Sequence, residues 1–317
     1  MGMDYDCKKV GNEMWKVISF YSLPENKPHN VTSHAQLPTA LILGDYVRVF
    51  FASRDQKQHS SVYYVDVDIS GGNVSFSEFS RWPVIEPGDI GTFDEHGVFP
   101  SSIVSHMGQY FMYFIGWNKG VEPPLFYASI GLAVSEDGKS FRKLSLAPIL
   151  NRSEWDPCLV TSPNVFIENG LWRMTYVSGI KWTRQLNGKL QSHYHIKYAE
   201  SEDGIQWNRD GRVAIDFRSG ETNIARSSVI KDRNGNYKMW FSYVHSEIGK
   251  YRIGYAKSKD GYNWERTDEE DKILNDNQHA KDMICYPFVF NFKNEMYMLY
   301  NGNNFGASGF GIAVWEE

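Results

Sequence analysis

Acidic residues stand just before a recurring kind of apolar segment in this 317-residue chain. They are Asp94 and Glu95 in "FDEHGVFPSS", Asp156 in "WDPCLVTSP", Glu221 in "GETNIARSS" and Asp282 in "KDMICYPF". Two carboxyl groups on opposite sides of a bond can serve as general acid and as general base or nucleophile. Each acid alone is as readily a solvated loop residue or part of an Asx turn. Their repetition at nearly one offset predicts that they converge on a single site.

Cationic and histidine side chains occupy related positions and would give such a site its binding groups. Arg226 stands five residues after the fourth of these acids, and Arg54 and Asp55 follow another apolar segment. A guanidinium there can bind a phosphate or a substrate carboxylate, or can pair with a neighbouring acid. His34 and His96 each stand four residues before a proline. This favours a shared role, with two hydrogen-bonded structural histidines as the alternative.

One phrase is repeated along the chain and marks its organisation. The clear copies are "IGLAVSEDGKSF" (130–141), "HIKYAESEDGIQW" (195–207) and "YRIGYAKSKDGYNW" (251–264). The alanines of these copies and a fourth alanine are Ala133, Ala199, Ala256 and Ala313, and they are separated by 66, 57 and 57 residues. Val67 lies 66 residues before Ala133. Self-similarity at such a period predicts a repeat architecture of five units. The Asp-Gly pair in the phrase predicts a tight turn before an outer strand.

The units have the strand and turn pattern of an all-β fold. Two apolar or aromatic runs in a unit are joined by turn signals such as Asn169-Gly170 and Asn234-Gly235. Because four antiparallel strands make a propeller blade, the sequence predicts a five-bladed β-propeller with four-stranded blades. The expected single domain, 1–317, has blades at about 34–79, 98–145, 160–209, 224–266 and 284–317. Segment 13–21 is expected to add a fourth strand to the last blade and close the ring.

Composition excludes several classes of partner. The net charge is only −5 and no basic run stands out, so a nucleic-acid partner is not expected. No apolar run approaches the roughly 20 residues that span a bilayer, and the start lacks the apolar region of a signal peptide. The three cysteines form no metal-type pair, which favours a cytoplasmic chain without a cofactor. Aromatic residues reach 15%, and Trp117, Trp155 and Tyr286 are expected to flank the site.

The five units, the phrase and the acidic loops resemble the five-bladed propeller glycosidases. That superfamily includes the arabinanase and xylosidase group, the invertase and levansucrase group, and the mannoside phosphorylases. The resemblance implies a carbohydrate-active enzyme that acts on a glycosidic bond at the mouth of a central channel. By the register of the arabinanase-like group, Glu221 resembles the general acid and Asp156 the pKa-tuning aspartate. The first-blade base has no match because Ser33 or His34 stands there, so Glu95 is the candidate for the opposing carboxylate.

The resemblance leaves alternatives for the reaction. Arg54-Asp55 is a partial echo of the invertase-like RDP motif, in which Gln56 replaces the proline. A glycoside phosphorylase would use inorganic phosphate as nucleophile, bound by Arg54 and Arg226. A non-hydrolytic protein of polysaccharide biosynthesis would recognise or transfer a sugar or sugar nucleotide instead. Some relatives hold Ca²⁺ in the channel, although no dedicated site stands out here. The expected substrate-binding residues are His34, Arg54, Asp55, Asp94, His96, Arg226, Asp282 and Tyr286.

Overall fold

The computed structural model describes residues 14–70, 73–268 and 278–316, and these fold almost entirely into β-strands. Branched and aromatic side chains dominate segments such as "YVRVFFASR", because they fit the pleated surface of a sheet. The one helix in these ranges, α1 (Asn303–Gly306), is a single turn with left-handed backbone at Asn304 and Phe305. Within the same ranges, no helix has the length and apolar character needed to cross a membrane. The all-β prediction is confirmed.

The strands form five antiparallel groups of four. Groups β2–β5, β6–β9, β10–β13 and β14–β17 follow one another along the chain, and β18–β20 are completed by β1. In chain order the strands are β1 (Met14–Ser22), β2 (Ser33–Leu43), β3 (Tyr46–Arg54), β4 (Ser60–Ser70), β5 (Asn73–Phe76), β6 (Gly97–His106), β7 (Gln109–Lys119), β8 (Phe126–Ser135), β9 (Arg142–Lys143), β10 (Leu159–Glu168), β11 (Leu171–Arg184), β12 (Leu190–Ser201), β13 (Val213–Ile215), β14 (Glu221–Lys231), β15 (Tyr237–His245), β16 (Tyr251–Ser258), β17 (Glu265–Arg266), β18 (Cys285–Phe292), β19 (Glu295–Asn301) and β20 (Gly309–Glu316).

The first strands of the groups contact one another in a closed circuit. Strand β2 packs beside β6, β6 beside β10, β10 beside β14, β14 beside β18, and β18 beside β2. Two of the junctions also carry a parallel pairing, at Ser60 with Gly97 and at Tyr194 with Asn223. The starts of all five first strands therefore face one common region, which is where the sequence predicts a site.

The repeated phrase forms the turn before the outer strand of a group. In the copy that contains Ser258, the hydroxyl of this serine accepts a hydrogen bond from the amide of Gly261 at 2.9 Å. The Asp260 carboxylate accepts two more, from the amides of Tyr262 and Asn263, each at 2.8 Å. Gly261 has a φ of +74°, which a glycine adopts at little cost. The tight turn predicted from the Asp-Gly pair is confirmed.

Each of these turns is also a docking point for the preceding group. Arg48 donates to the carbonyl of Gly138 at 3.1 Å, and Tyr113 donates to the carbonyl of Gly204 at 2.8 Å. Arg173 donates to the carbonyl of Asp260 at 3.1 Å, and its guanidinium lies 3.9 Å from the centre of the Tyr262 ring. The phrase therefore fixes neighbouring groups to one another as well as closing its own hairpin.

The N-terminal strand completes the last group. β1 pairs antiparallel with β20 from Met14 opposite Glu316 to Ser22 opposite Gly309, which matches the predicted role of segment 13–21; Glu13 itself lies outside the described residues. Trp15 is buried, with its ring centre 5.7 Å from that of Trp240 and 5.2 Å from that of Trp315. The pairing covers an edge of β20 that would otherwise be unpaired.

Candidate functional site

All five first strands carry a β-bulge at the same position. The pairing with the second strand shifts register there in β2, β6, β10, β14 and β18. The bulged residue has a positive φ in four groups, at Leu37, Ser162, Arg226 and Tyr286, and the equivalent residue in β6 is Pro100. Positive φ is costly for a bulky side chain, so the bulge is a local departure from regular strand geometry. It redirects side chains next to the shared end of the strands.

A cavity of about 680 Å³ lies at this end and is lined by every first strand. The strand residues on its wall are Leu37, Phe99, Ser162, Ala225 and Tyr286. The turn between β7 and β8, which contains Pro123 and Pro124, forms part of the rim. We call this space the mouth cavity. A larger groove of about 1410 Å³ lies at the opposite end among hairpins of three groups, where the first strands do not converge.

Aromatic side chains make up much of the wall of the mouth cavity. The indole nitrogen of Trp117 donates to the Ser60 hydroxyl at 2.9 Å, which fixes the orientation of the ring. The rings of Tyr286 and Phe305 lie nearly parallel, with centres 6.3 Å apart. The hydroxyls of Tyr194 and Tyr251 are hydrogen-bonded to each other beside them. Flat faces next to polar groups suit the apolar face of a sugar ring.

Arg54 supplies a positive charge to the wall, and no acidic residue in the described ranges pairs with it. Its Nη2 donates to Gln36 Oε1 at 3.0 Å, whereas its Nε is buried without a hydrogen-bond partner. Burial lowers the pKa of the Arg54 guanidinium from its ordinary value, as expected for a desolvated cation. Lys119 lies on the same wall, and the described lining residues include no aspartate or glutamate. The mouth cavity is therefore suited to an anion.

Asp156 is fully buried in an ion-pair network. Its carboxylate lies 2.8 Å from Arg209 Nη1 and 3.7 Å from Lys197 Nζ. It also accepts hydrogen bonds from Ser153 at 3.0 Å and from the Tyr176 hydroxyl at 3.2 Å. Burial lowers the pKa of Lys197 from its ordinary value. These four partners lie in the group β10–β13 or in the loops next to its strands.

Glu221 is held by a bidentate pair. Arg266 Nη1 lies 2.7 Å from Glu221 Oε2, and Nη2 lies 2.8 Å from Oε1. The same guanidinium contacts Asp268 at 2.7 Å, and the amide of Arg218 donates to Glu221 at 2.8 Å. Because the guanidinium of Arg266 binds both oxygens of this carboxylate, neither oxygen is free to contact a leaving group. The catalytic role of Glu221 stays a prediction, and this pairing argues against it.

The acids of the second group are engaged in the same way. Asp94 is buried and accepts from Lys143 at 2.5 Å and from the Thr92 hydroxyl at 2.9 Å. Glu95 accepts from the amide of Gly91 at 2.9 Å within its own loop. None of the carboxylates expected to converge lines the mouth cavity, so their convergence on one catalytic site stays a prediction. Asp94, Asp156 and Glu221 each pair instead with a cation of their own group.

The other predicted residues are divided between rim and loop. Asp282 is exposed, and its backbone is held by hydrogen bonds with the side chains of Asn303 and Arg252. Asp55 caps a turn by accepting from two amides at 2.8 Å. Among the predicted binding residues, the wall of the mouth cavity contains Arg54 and Tyr286.

The two histidines have different surroundings. The Nδ1 atom of His34 lies 2.7 Å from the Ser33 hydroxyl, and burial, with the nearby Arg54, lowers the pKa of His34 to about 4. His96 lies 3.3 Å from the amide oxygen of Asn118, and its ring packs edge-on against His59. Neither histidine lines the mouth cavity, so the shared role inferred from their spacing stays a prediction.

Arg226 lies one residue beyond the wall residue Ala225 and is almost completely buried. Its Nη2 donates to the Pro38 carbonyl at 2.9 Å and to the Thr39 hydroxyl at 2.8 Å, so it ties β14 to β2. In the part of the chain that the structure describes, no group of three or more His, Cys, Asp or Glu residues could hold a metal ion. A guanidinium at this position would repel Ca²⁺, so the described residues do not fit a channel metal.

Tyr194, Tyr251 and Phe305 are among the wall residues that the sequence interpretation did not single out. Tyr194 lies between His193 and His195, and Tyr251 opens a copy of the repeated phrase. Phe305 follows the last acidic segment in α1. The signal that could have found the two tyrosines is their shared register, because each stands five residues before an alanine of the repeated phrase, Ala199 or Ala256.

Comparisons with known proteins connect this fold to carbohydrate-active proteins. No family model matches the sequence. The structure of a BT0996 RGII complex is similar with a TM-score of 0.71 at 19% identity, covering 95% of this protein and 92% of that one. A structure from work on the GH130 family of mannoside phosphorylases, with glycoside hydrolases that target β-1,2 mannosidic linkages in Candida mannan, is similar with a TM-score of 0.69. It shares 15% identity, covering 99% and 95% of the two proteins. The fold is therefore of the glycosidase-type β-propeller kind.

Sequence similarity extends to two kinds of relative. A 1,2-beta-oligomannan phosphorylase of Thermoanaerobacter sp. is 24% identical over 168 residues, which are 52% of this chain and 53% of that protein. The uncharacterized proteins MT1551 and Rv1502 of Mycobacterium tuberculosis are each 35% identical over 306 residues, covering 96% of this chain and 99% of theirs. This protein belongs to the same family as MT1551 and Rv1502.

Proposed function

We propose that the protein is a glycoside phosphorylase that cleaves a glycosidic bond in the mouth cavity with inorganic phosphate as the nucleophile. The observation that carries the proposal is Arg54, a half-buried guanidinium without an acidic partner on a wall whose described residues include no carboxylate. Phosphate is an anion that a guanidinium binds through charge-assisted hydrogen bonds. Similarity to a 1,2-beta-oligomannan phosphorylase over half of the chain supports the same reaction class.

The chemistry balances without an acid from the wall. An oxygen of hydrogenphosphate forms a bond to the anomeric carbon while the bond from that carbon to the glycosidic oxygen breaks. The proton of hydrogenphosphate passes to the departing oxygen, so the products are a glycosyl phosphate and an alcohol. Arg54 and Lys119 would bind and orient the phosphate, because both cations line the cavity. Trp117, held by Ser60, would support the sugar ring.

Two-carboxylate hydrolysis is less favoured by the described residues. A hydrolase of this kind needs two carboxyl groups roughly 5 to 9.5 Å apart around the bond. Glu221, Asp156 and Glu95, the catalytic candidates from the sequence, hold partners elsewhere and do not line the cavity. The same ion pairs favour a second candidate function, in which the protein binds a sugar or sugar nucleotide and does not cleave it.

The test is a turnover assay with and without phosphate. We expect β-1,2-linked mannooligosaccharides, the substrate class named for the similar phosphorylase, to release a sugar 1-phosphate only when phosphate is present. Arg54→Met should reduce that release by at least tenfold, and Arg233→Met, which changes an exposed arginine outside the mouth, should not. Equal release of free sugar in both buffers would contradict phosphorolysis. Binding without any product would favour the second candidate.

The architecture we propose for this function is a single-domain five-bladed β-propeller with the blade limits given above. The closed circuit of first-strand contacts and the pairing of β1 with β20 support it. In such a ring the mouth cavity is the upper end of the central channel. A carbohydrate is the expected partner, and a cytoplasmic location stays a prediction.

A further inference from the structure

The guanidinium of Arg226 is buried among residues that satisfy only some of its hydrogen-bond donors. Its side chain is 1% exposed, and the Nη2 atom makes all of the hydrogen bonds described above. The Nη1 atom is buried and has no hydrogen-bond partner. An unsatisfied donor on a buried cation is costly, because water solvates both the donor and the charge in the unfolded chain. An acceptor bound at Nη1 would remove that cost.

No acidic group in the described ranges 14–70, 73–268 and 278–316 forms an ion pair with Arg226. The ionisable groups beside it are the Tyr286 phenol and the Cys285 thiol. Burial raises the pKa of both groups well above their ordinary values, so both are neutral near pH 7. The buried Arg173, in contrast, lies 2.6 Å from the Glu168 carboxylate. Arg226 therefore lacks the counter-charge that this protein gives to a comparable arginine.

We propose that Arg226 binds a small monovalent anion of the chloride class through its Nη1 atom, next to the mouth cavity. Two residues of the cavity wall adjoin Arg226, since Ala225 is its chain neighbour and Tyr286 is a spatial neighbour, so we expect the anion to enter from the mouth. The anion must be small, because the guanidinium is almost fully enclosed and offers one free nitrogen. Phosphate, with four oxygens to satisfy, is better suited to the open wall at Arg54. This site is separate from the proposed reaction.

The first test measures thermal unfolding in sodium chloride and in sodium gluconate at equal ionic strength. Gluconate is too bulky for the site, and equal ionic strength removes general screening from the comparison. Because a ligand that binds only the folded state stabilises it, chloride should raise the Tm of the wild-type protein by about 2 °C or more, with saturation. Arg226→Met should lose this difference. Arg184→Met, which changes an exposed rim arginine paired with Glu122, should keep it.

A second test needs no variant, and it decides the matter if Arg226→Met does not fold. Crystals of the wild-type protein are soaked in sodium bromide, and anomalous scattering locates bound bromide. We expect a bromide peak within about 3.5 Å of Arg226 Nη1. Absence of a peak there, or a chloride effect of equal size in wild type and Arg226→Met, would overturn the proposal. Because neither measurement involves turnover, failure here and failure of the phosphorylase assay are distinguishable.

Discussion

Whether a charged side chain is paired distinguishes the residues of the scaffold from those of the candidate site in this protein. Glu221 and Asp156 are each bound by a guanidinium of the same strand group. Arg54, by contrast, presents a charge to the mouth cavity with Gln36 as its hydrogen-bond partner. A paired charge contributes to the fold, whereas an unpaired charge on a cavity wall is available to a ligand.

Replacing Glu221 with glutamine should lower stability and leave turnover per folded molecule unchanged. Glutamine fills the same volume but removes the charge that Arg266 binds through two hydrogen bonds. We expect the free energy of unfolding, measured with urea, to fall by about 1.5 to 3 kcal/mol, the range for hydrogen bonds to charged groups. If unfolding is unchanged while turnover disappears, Glu221 is the general acid that the sequence suggested.

Replacing Trp117 with alanine should weaken sugar binding. The indole faces the mouth cavity in an orientation fixed by Ser60, and stacking of a sugar ring on it would be lost. We expect the Kd for an oligosaccharide, measured by calorimetry, to rise about tenfold, which corresponds to about 1.4 kcal/mol. The control is Trp82→Ala, since Trp82 is 68% exposed and lies outside the cavity. Equal affinity of wild type and Trp117→Ala would place the sugar elsewhere.

At the scale of elements, the repeated turn links one group of strands to the next. Arg48, Tyr113 and Arg173 lie on the second strands of three successive groups and donate to turn carbonyls of the following group. The turn must keep its shape for these bonds to form. Its serine and aspartate hold that shape by accepting hydrogen bonds from backbone amides.

Replacing Asp260 with asparagine should reduce stability and flatten its dependence on acidic pH. Hydrogen bonds from the amides of Asn263 and Tyr262 hold the pKa of the Asp260 carboxyl below its ordinary range. Because the folded-state pKa is depressed, this stabilisation is present above the unfolded value of about 3.9 and is lost as pH falls toward the folded value. The free energy of unfolding of Asp260→Asn should therefore be about 1 kcal/mol lower than that of wild type near neutral pH, and the difference should be smaller below about pH 4.

The measurement for this prediction is urea unfolding between pH 3 and pH 7. Asp45→Asn, which changes an exposed hairpin residue, is the control and should follow the wild-type curve. Parallel curves for wild type and Asp260→Asn over the whole range would show that the Asp260 charge does not stabilise the turn.

The elements were predictable from sequence because their signals are local. Asn169-Gly170 and Asn234-Gly235 do lie in the turns of two hairpins, and the phrase forms the predicted turn. The contents of the site were predicted less well, because the sequence shows where an acid stands but not which cation reaches it. Arg266 is 45 residues from Glu221 and Arg209 is 53 from Asp156, so these pairings depend on the folded group.

At the scale of the whole molecule, the first and last segments of the described chain meet in one group of strands. β1 pairs along the length of β20, and Trp15 packs between Trp240 of the fourth group and Trp315 of the last. The contact joins strands that are nearly the full chain apart in sequence. Closing so long a loop costs entropy, and the buried indole contributes to offsetting that cost.

Replacing Trp15 with alanine should destabilise the whole molecule. The side chain is 3% exposed, and a large aromatic truncated to alanine in a core costs about 3 to 5 kcal/mol. We expect a lower urea midpoint when unfolding is followed both by tryptophan fluorescence and by circular dichroism, with the two transitions coinciding. A lower urea midpoint seen by only one of the two probes would mean that β1 can detach while the other groups remain folded.

The central claim is that the mouth cavity binds the sugar and the phosphate together. The most direct measurement is a crystal structure of the protein with an oligosaccharide and phosphate. The account predicts a sugar ring on Trp117 and phosphate oxygens within about 3 Å of the Arg54 guanidinium, the distance of a charge-assisted hydrogen bond. An oligosaccharide bound against Glu221 and Asp156, with the mouth cavity empty, would contradict it.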